Sequence, residues 1–199
     1  MHLLYKEIPT ITKNNLLMNW YKKAQLLEDF PTISFHEIVY HGTYTTSNNF
    51  FTDLDESYSE WGAVWVTDDE RASEGFALDY GLAKNEMGMV LKIEAKLPQL
   101  ILLEYGNPAL KELQEQQMCE DIRECIPYLT QVGYDGWKTM GNLGPMLYND
   151  IAVFGTGNDL LTPLAVKLYR NNEWSEYMSI SDAEDLIESL IEKEENELV

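Results

Sequence analysis

Short apolar runs, each closed by a polar or turn-forming residue, constrain the fold of this 199-residue chain more than any other feature. Runs of this kind, rich in aliphatic and aromatic residues, are typical of β-strands. Helical stretches lie between and after them, so five or more short strands predict an α+β fold. The expected strands cover residues 38–40, 63–66, 89–94, 100–103, 150–154, 160–161 and 164–169, with a further strand after a turn at 133–137.

The helices are marked by their first residues. Asp68, Asp69 and Glu70 place carboxylates where a helix dipole is positive, and they predict a helix that runs to Tyr80. Pro108 is typical of a first helical turn and opens a second helix, to about residue 125. Nearer the start, a short strand at 3–5 and an apolar helical pattern at 16–27 predict a packing element ahead of the strands.

The C-terminal segment is acidic and amphipathic. Ser181 and Glu184 have the spacing of a capping box. The last 18 residues contain eight acidic residues and one Lys. We expect one domain over 1–170, with a helical lead in 1–35, and an acidic helix and tail over 171–199 that docks on the domain or binds a partner. Its apolar stripe consists of Leu186, Ile187, Leu190 and Ile191.

The charge balance excludes some classes of partner. The chain has 14 basic and 34 acidic residues, a formal net charge of −20. This charge repels a nucleic-acid backbone and an anionic membrane surface, so neither bulk nucleic-acid binding nor membrane association is expected. No run of about 20 apolar residues and no secretory signal pattern is present, so we expect a cytoplasmic protein.

The cysteines and histidines do not indicate a metal site. Cys119 and Cys125 lie six residues apart, which matches no zinc or redox motif, so both are expected to be reduced packing residues. His2, His36 and His41 are not spaced as ligands on a helix. We therefore predict that no metal is bound.

Three segments carry the chemical information. The first is His41-Gly42-Thr43 at the end of a strand, and the second is residues 62–67 with Ser73, Phe76 and Ala77 on the following helix. The third is the acid-led strand 150–154. In this order, over residues 36–168, they resemble the motifs of ADP-ribosyltransferases of the diphtheria-toxin and poly(ADP-ribose) polymerase type. Diverged phage and bacterial proteins of this family include short stand-alone members.

The resemblance implies a fold, an activity and a substrate. The fold would be ADP-ribosyltransferase-like, a split pair of small antiparallel sheets with flanking helices. The activity would be that of an NAD-dependent transferase of the glycosyltransferase class, moving one ADP-ribose from NAD to a macromolecular acceptor with release of nicotinamide. A protein acceptor with a basic or neutral surface fits the charge of −20. For a phage-encoded chain, the location would be the host cytoplasm.

The resemblance also implies roles for particular residues. His41 would hydrogen-bond the adenine-side ribose, with Thr43 beside it in the same motif, and Gly42 would pair through its backbone with the nicotinamide carboxamide, which Ser73 would help to hold. Trp65 and Phe76 would sandwich the nicotinamide ring. The catalytic carboxylate would be Asp150, with His41 beside it in the catalytic pair. Asp150 would bond the ribose hydroxyl next to the reacting carbon and stabilise the positive charge that develops there.

Two of these positions depart from the family pattern. Asp150 stands where the family has Glu, and its side chain is one methylene shorter. Phe76 stands where the family has Tyr, which keeps the ring and loses the hydroxyl. Since chain-extending polymerases depend on Glu, the departure favours transfer of a single ADP-ribose or hydrolysis of NAD.

The same residues have plainer interpretations that the sequence leaves open. His41 fits a histidine at the edge of the core, bonded to a backbone carbonyl. Trp65 and Phe76 fit ordinary core aromatics. Asp150, which follows Asn149, fits a turn or strand-start residue.

A second functional hypothesis comes from the acidity of the chain. A non-catalytic protein of the same fold would bind and inhibit a partner through its acidic surface. Asp135, which precedes Gly136, has the form of a turn signal and is not assigned to the site.

Overall fold

The computed structural model describes residues 30–44, 62–84, 86–104, 108–140, 150–155 and 160–197. The strand and helix predicted in the first 27 residues lie outside these ranges. Both strands and helices are present, which confirms the predicted mixture. The strands are β1 (Thr32–Tyr44), β2 (Ala63–Thr67), β3 (Gly88–Glu104), β4 (Gly136–Met140), β5 (Asp150–Phe154), β6 (Leu161–Arg170) and β7 (Glu173–Trp174). The helices are α1 (Glu70–Lys84), α2 (Pro108–Gln117), a 3-10 turn (Ile122–Cys125), α3 (Ile126–Val132) and α4 (Ile180–Glu197).

Six of the seven strands form two antiparallel halves of three strands each, and β7 extends one of them by pairing with β6. One half has the order β6–β3–β1 and the other has the order β4–β5–β2. Two seams join the halves. Strands β3 and β4 pair in parallel over five residues, whereas β1 and β2 pair through Tyr40 and Thr67 alone. The structure therefore has one continuous sheet in which the seams close five strands into a small barrel, whereas the sequence predicts a split pair of small sheets.

The length of β3 makes this closure possible. Its 17 residues pair with β1 from residue 88 to residue 101 and with β6 from residue 89 to residue 95, and residues 100–104 continue past β6 to pair with β4. The sequence pattern predicts two separate strands here because Pro98 lacks a backbone N–H. In the structure, the register shifts between Ile33 and Phe35 opposite this point, and this irregularity lets one strand pass the proline.

Successive side chains along each short strand point to opposite faces of the sheet. In β2, Val64 and Val66 belong to the interior core, whereas Ala63 and Trp65 face outward. Strand β5 behaves in the same way. Helices α2 and α3 cover this outer face, so both faces of β2 and β5 are apolar. The buried residues of the outer layer include Leu113, Cys125, Ile126, Leu129, Trp137, Ala152 and Phe154.

The C-terminal helix shares the core of the strands. Ala183 and Ile187 are buried with Val166 and Leu168 of β6, and Leu186 and Ile191 pack beside them. Its N-terminus differs from the prediction, because Ser179 and not Ser181 is the N-cap residue. The Asp182 N–H donates to Ser179 Oγ over 3.1 Å, and Ser179 Oγ donates to Asp182 Oδ2 over 2.6 Å. The domain boundaries drawn from the sequence stay a prediction.

The helix expected over residues 108–125 is interrupted. It ends at Gln117, and Met118 has a φ of 55°, a left-handed conformation that stops the helix. Asp121 then starts the 3-10 turn by accepting the Arg123 N–H over 2.9 Å. Cys119 precedes this turn and Cys125 is its last residue; both are free thiols, and burial raises the pKa of Cys125 to about 12. None of the helices in the described ranges combines the length and apolar character that a bilayer span requires.

Candidate functional site

The first motif lies where β1 and β2 stop pairing. Tyr40 is paired with Thr67. At the next residue of β1, a side-chain contact takes the place of backbone hydrogen bonds, because Nδ1 of His41 lies 2.7 Å from the carbonyl oxygen of Trp65. Because a carbonyl only accepts, Nδ1 carries the proton. The plainer interpretation of His41, a bond to a backbone carbonyl, is therefore confirmed as a contact. The ring lies where β1 and β2 are no longer paired, and we call this unpaired stretch between the two strands the opening.

Gly42 is the point of closest approach between β1 and α1. A Cβ on Gly42 would lie 2.1 Å from the carbonyl oxygen of Ser73 and 3.1 Å from the backbone nitrogen of Ala77. Only glycine allows the helix backbone to pack this closely. The sequence-predicted pair Gly42 and Ser73 is therefore in direct contact, and the glycine has a packing role whatever else its backbone binds.

Helix α1 begins as the sequence predicts. Asp69 Oδ1 accepts the backbone N–H of Arg71 over 2.9 Å, which is typical of an N-cap. Ser73 is buried, with 1% of its surface exposed, and its hydroxyl donates to the carbonyl of Glu70 over 2.7 Å. The hydroxyl that the resemblance assigns to the nicotinamide amide is thus engaged within the helix itself.

Phe76 lies on the flank of α1 that faces the opening. Ser73 and Ala77 form the line of α1 that packs on Gly42. Because each residue of a helix is rotated by about 100° from the one before it, Phe76 lies on one side of this line. Glu70 and Glu74 lie on the other side. The two glutamates contact Lys167 of β6, which is on the β3 side of β1. Phe76 therefore points toward the β2 side, and it is half-buried.

Asp150 begins β5 directly opposite the end of β2. It pairs with Thr67, and its backbone carbonyl accepts a hydrogen bond from Thr139 Oγ1 over 3.2 Å. The side chain is half-buried, and burial raises the pKa of the Asp150 carboxyl above its ordinary value. A carboxyl group with a raised pKa is typical of functional sites, and burial at a purely structural position raises the pKa in the same way.

Trp65 lies beside Asp150 on the outer face. Trp65 pairs with Ala152, two residues along β5 from Asp150. Its ring meets Trp137 edge-on with centroids 6.1 Å apart, and Trp137 meets Phe154 at 5.2 Å. One side of the Trp65 ring therefore belongs to the aromatic core, in agreement with its plainer interpretation, while the residue as a whole is half-buried.

The predicted site residues do not all share one face. Tyr40, Thr67 and Asp150 are paired in one row, so their side chains point outward together. His41 and Thr43 alternate with Tyr40 and point toward the barrel interior, where Thr43 is 6% exposed. Two inter-strand spacings of about 4.8 Å separate β1 from β5, so the backbones at Tyr40 and Asp150 lie about 10 Å apart.

Two ionic contacts near these residues are not predicted by the sequence. Lys138 of β4 donates to Asp68 Oδ2 over 2.7 Å, and Lys167 of β6 bridges Glu70 and Glu74 of α1. In each case the partners lie 70 or more residues apart, so no local pattern pairs them. The spacing of Glu70 and Glu74, one helical turn, is the signal that points to a shared cation. Within the described ranges, no group of three or more His, Cys, Asp or Glu side chains is arranged to hold a metal ion.

The comparisons with known proteins give one likeness. No protein-family model and no curated protein matches the sequence. Among solved structures, a chain from the M. tuberculosis MbcT–MbcA toxin–antitoxin complex is similar, with a TM-score of 0.47 and 12% sequence identity. The match covers 84% of this chain and 95% of that chain. A likeness of this extent carries no inference about activity.

Proposed function

We propose that this chain is a mono-ADP-ribosyltransferase that binds NAD in the opening between β1 and β2. The reaction would transfer ADP-ribose to a macromolecular acceptor and release nicotinamide. The proposal rests on the sequence resemblance together with one structural observation. The three motifs, which are separated along the chain, lie on the consecutive strands β1, β2 and β5, with Tyr40, Thr67 and Asp150 in one row.

The opening makes this arrangement usable by one ligand. Since the ladder between β1 and β2 has a single pair, a dinucleotide lying in the opening could reach side chains on both faces. His41 borders it from the interior side, and Trp65 and Asp150 border it from the outer side. Phe76 on α1 faces the same gap, so stacking between Phe76 and the nicotinamide ring is compatible with the helix orientation.

The chemistry proposed for Asp150 is electrostatic. The bond between the ribose C1′ and the nicotinamide nitrogen breaks, and its electron pair neutralises the pyridinium ring. The nucleophile of the acceptor then bonds to C1′ and loses its proton. An ionised carboxylate beside the ribose stabilises the positive charge that develops on the sugar. With water as the acceptor, the same step is hydrolysis of NAD.

A second candidate function has one observation in its favour. The surface of α4 displays exposed carboxylates at Asp182, Asp185, Glu188 and Glu192. Such a surface complements a basic partner and needs no chemistry at Asp150. A protein of this kind would inhibit its partner by occupying the partner's basic surface.

The two functions are separated by titrating the protein with NAD in a calorimeter and measuring nicotinamide release in the same samples. The informative variants are His41→Ala and Asp150→Ala. Their matched controls are His36→Ala, an exposed histidine on the same strand, and Asp79→Asn, an exposed aspartate on α1. For the transferase we expect wild-type binding and release, both lost in His41→Ala, and release lost with binding retained in Asp150→Ala.

Other results have equally definite meanings. Absence of NAD binding to the wild type would reject the transferase and favour the acidic inhibitor. Loss of activity in the two control variants as well would show that the assay reports folding and not the site. Binding without release would indicate that an acceptor or activating partner is required, which addition of basic proteins would test.

A further inference from the structure

A buried lysine lies on the opposite flank of α1 from the proposed NAD opening. Lys167 of β6 is only 5% exposed, and its ammonium donates to both Glu70 and Glu74. The rings of Trp174 and Tyr177 lie 5.3 and 5.1 Å from its Nζ atom. Strands β6 and β7 and helix α1 therefore meet at the Lys167 ammonium.

The pairing favours the charged forms of Lys167 and Glu70. Burial opposes the charge on Lys167, but the hydrogen bonds to Glu70 and Glu74 outweigh it and raise the pKa of Lys167. Burial also opposes the charge on Glu70, and the contact with Lys167 outweighs it and lowers the pKa of Glu70. Burial and the negative charge of Glu70 raise the pKa of Tyr177, which stays a neutral phenol. The cluster thus pairs the Lys167 ammonium with the carboxylates of Glu70 and Glu74. The Lys92 ammonium lies 5.5 Å from the ring of Tyr177 beside them.

The position of the contact matters more than its strength. Glu70 is the first residue of α1, and Glu74 is one turn further along. On the neighbouring side of α1, Ser73 and Ala77 pack so closely against Gly42 that a Cβ on Gly42 would not fit. Helix α1 is held by close backbone contacts with Gly42 of β1 and Gly88 of β3, and Lys167 adds a contact on the β6 side. Together these contacts define the rotation of the helix and so the direction of Phe76.

We infer that Lys167 is a positioning residue for NAD: it holds α1 by Glu70 and Glu74 so that Phe76 faces the opening between β1 and β2. This inference rests on the proposed function. Lys167 itself does not touch the substrate. Its effect is exerted on binding of the nicotinamide ring, while Asp150 acts on the chemical step.

The test compares four variants with the wild type. Lys167→Met removes the charge and keeps the length, and Lys167→Arg keeps the charge. The triple variant Glu70→Gln, Glu74→Gln and Lys167→Met removes all three charges, so no unpaired carboxylate is left to destabilise the fold. Lys111→Met is the control. Lys111, like Lys167, pairs with a glutamate, but its partner lies one turn along the same helix α2 and the pair is exposed.

Four quantities are measured on each variant: KM and kcat for nicotinamide release, the thermal midpoint, and the rate of hydrogen exchange of the α1 amides. We expect Lys167→Met to raise KM by about 2- to 30-fold, the range expected for loss of stacking at Phe76, with little change in kcat, and to speed exchange in α1. Lys167→Arg should recover most of the affinity. The triple variant should recover the thermal midpoint but not KM. Lys111→Met should match the wild type.

Each alternative result has a distinct meaning. A triple variant that recovers both stability and KM would overturn the inference, because the lysine would then only neutralise two carboxylates. An unchanged KM in a folded Lys167→Met, with the wild type active, would also overturn it and leave the proposed function standing. A wild type that neither binds NAD nor releases nicotinamide would reject the proposed function, and the positioning role would be rejected with it, even if exchange in α1 had increased.

Discussion

His41 Nδ1 lies 2.7 Å from the carbonyl oxygen of Trp65, at the point where the ladder between β1 and β2 ends. A side chain here performs the task of a backbone donor. The contact joins two strands that have one residue pair between them, and it orients the imidazole toward the interior side of the opening. The structural and the proposed functional roles of His41 therefore concern different nitrogen atoms of one ring.

The two roles of His41 can be separated by substitution. His41→Ala removes the donor to Trp65 and should lower the free energy of unfolding by about 1–3 kcal/mol. His41→Asn places an amide N–H near the position of Nδ1 and should recover most of that loss. Neither variant keeps Nε2, so both should lose NAD binding. Thermal unfolding and calorimetry measure the two effects, and NAD binding by His41→Asn at wild-type affinity would contradict the role in ribose binding.

Two glycines near α1 should respond in opposite ways to alanine. Gly42→Ala puts a methyl group against the carbonyl of Ser73 and should destabilise the fold by about 1–3 kcal/mol or more. A Cβ on Gly75, which lies inside α1, would meet no other atom within 4 Å, so Gly75→Ala should stabilise by up to about 1 kcal/mol. Chemical denaturation of the two variants measures the difference. Equal effects would show that α1 does not rest on β1 at Gly42.

Asp150 should make stability depend on pH in a defined direction. Burial raises its pKa in the folded state, so the folded protein binds a proton more tightly at this carboxyl than the unfolded chain does. Its contribution to stability therefore falls as the pH rises from the unfolded pKa through the folded pKa. Asp150→Asn should unfold at a higher temperature than wild type at pH 7.5, and the difference should shrink toward pH 4.

The pH experiment has its control in Asp79→Asn, an exposed position on α1. Its difference from wild type should not change with pH in the same way. Asp150→Asn should also reduce nicotinamide release about a hundredfold or more if the carboxylate stabilises the developing charge. A variant that is more stable at neutral pH and inactive would be typical of a functional carboxylate. A variant that is less stable at pH 7.5 would contradict the assigned burial.

Phe76 should affect affinity without affecting the fold. Phe76→Leu keeps apolar volume on α1 and removes the ring, so NAD binding should weaken by about 0.5–2 kcal/mol, or roughly 2- to 30-fold. Leu82→Ala is the control, because Leu82 lies on the same helix with 80% of its surface exposed. Calorimetric titration measures the affinities. Equal affinity in Phe76→Leu and wild type would exclude stacking at this position.

The start of α4 offers a test of local structure. Ser179→Ala removes the side chain that accepts the Asp182 N–H and should cost about 1 kcal/mol. Ser181→Ala should cost little, because Ser181 is inside the helix and exposed. Thermal unfolding of both variants distinguishes the two caps. A larger loss from Ser181→Ala would restore the capping box predicted from the sequence.

Local sequence patterns predicted which helices and strands exist better than they predicted the residues at which these begin and end. The helix start at Asp69 and Glu70 and the strands β2 and β5 follow from caps and apolar runs of a few residues, which act over short distances. The limits changed where contacts distant in the chain intervened. Strand β3 continues past Pro98 because β1 and β4 pair on its two sides, and no residue near Pro98 indicates this.

The sequence by itself determined that this chain alternates strands and helices, where its three motif segments begin, and that its surface is acidic. Only the tertiary structure decided how the motifs meet. Strand register set Tyr40, Thr67 and Asp150 in one row and turned His41 to the other face, because alternate side chains of a strand point in opposite directions. The pairing of Lys167 with Glu70 and Glu74 was likewise decided by the fold, since 93 or more residues separate the lysine from each partner and only the closed sheet brings them together.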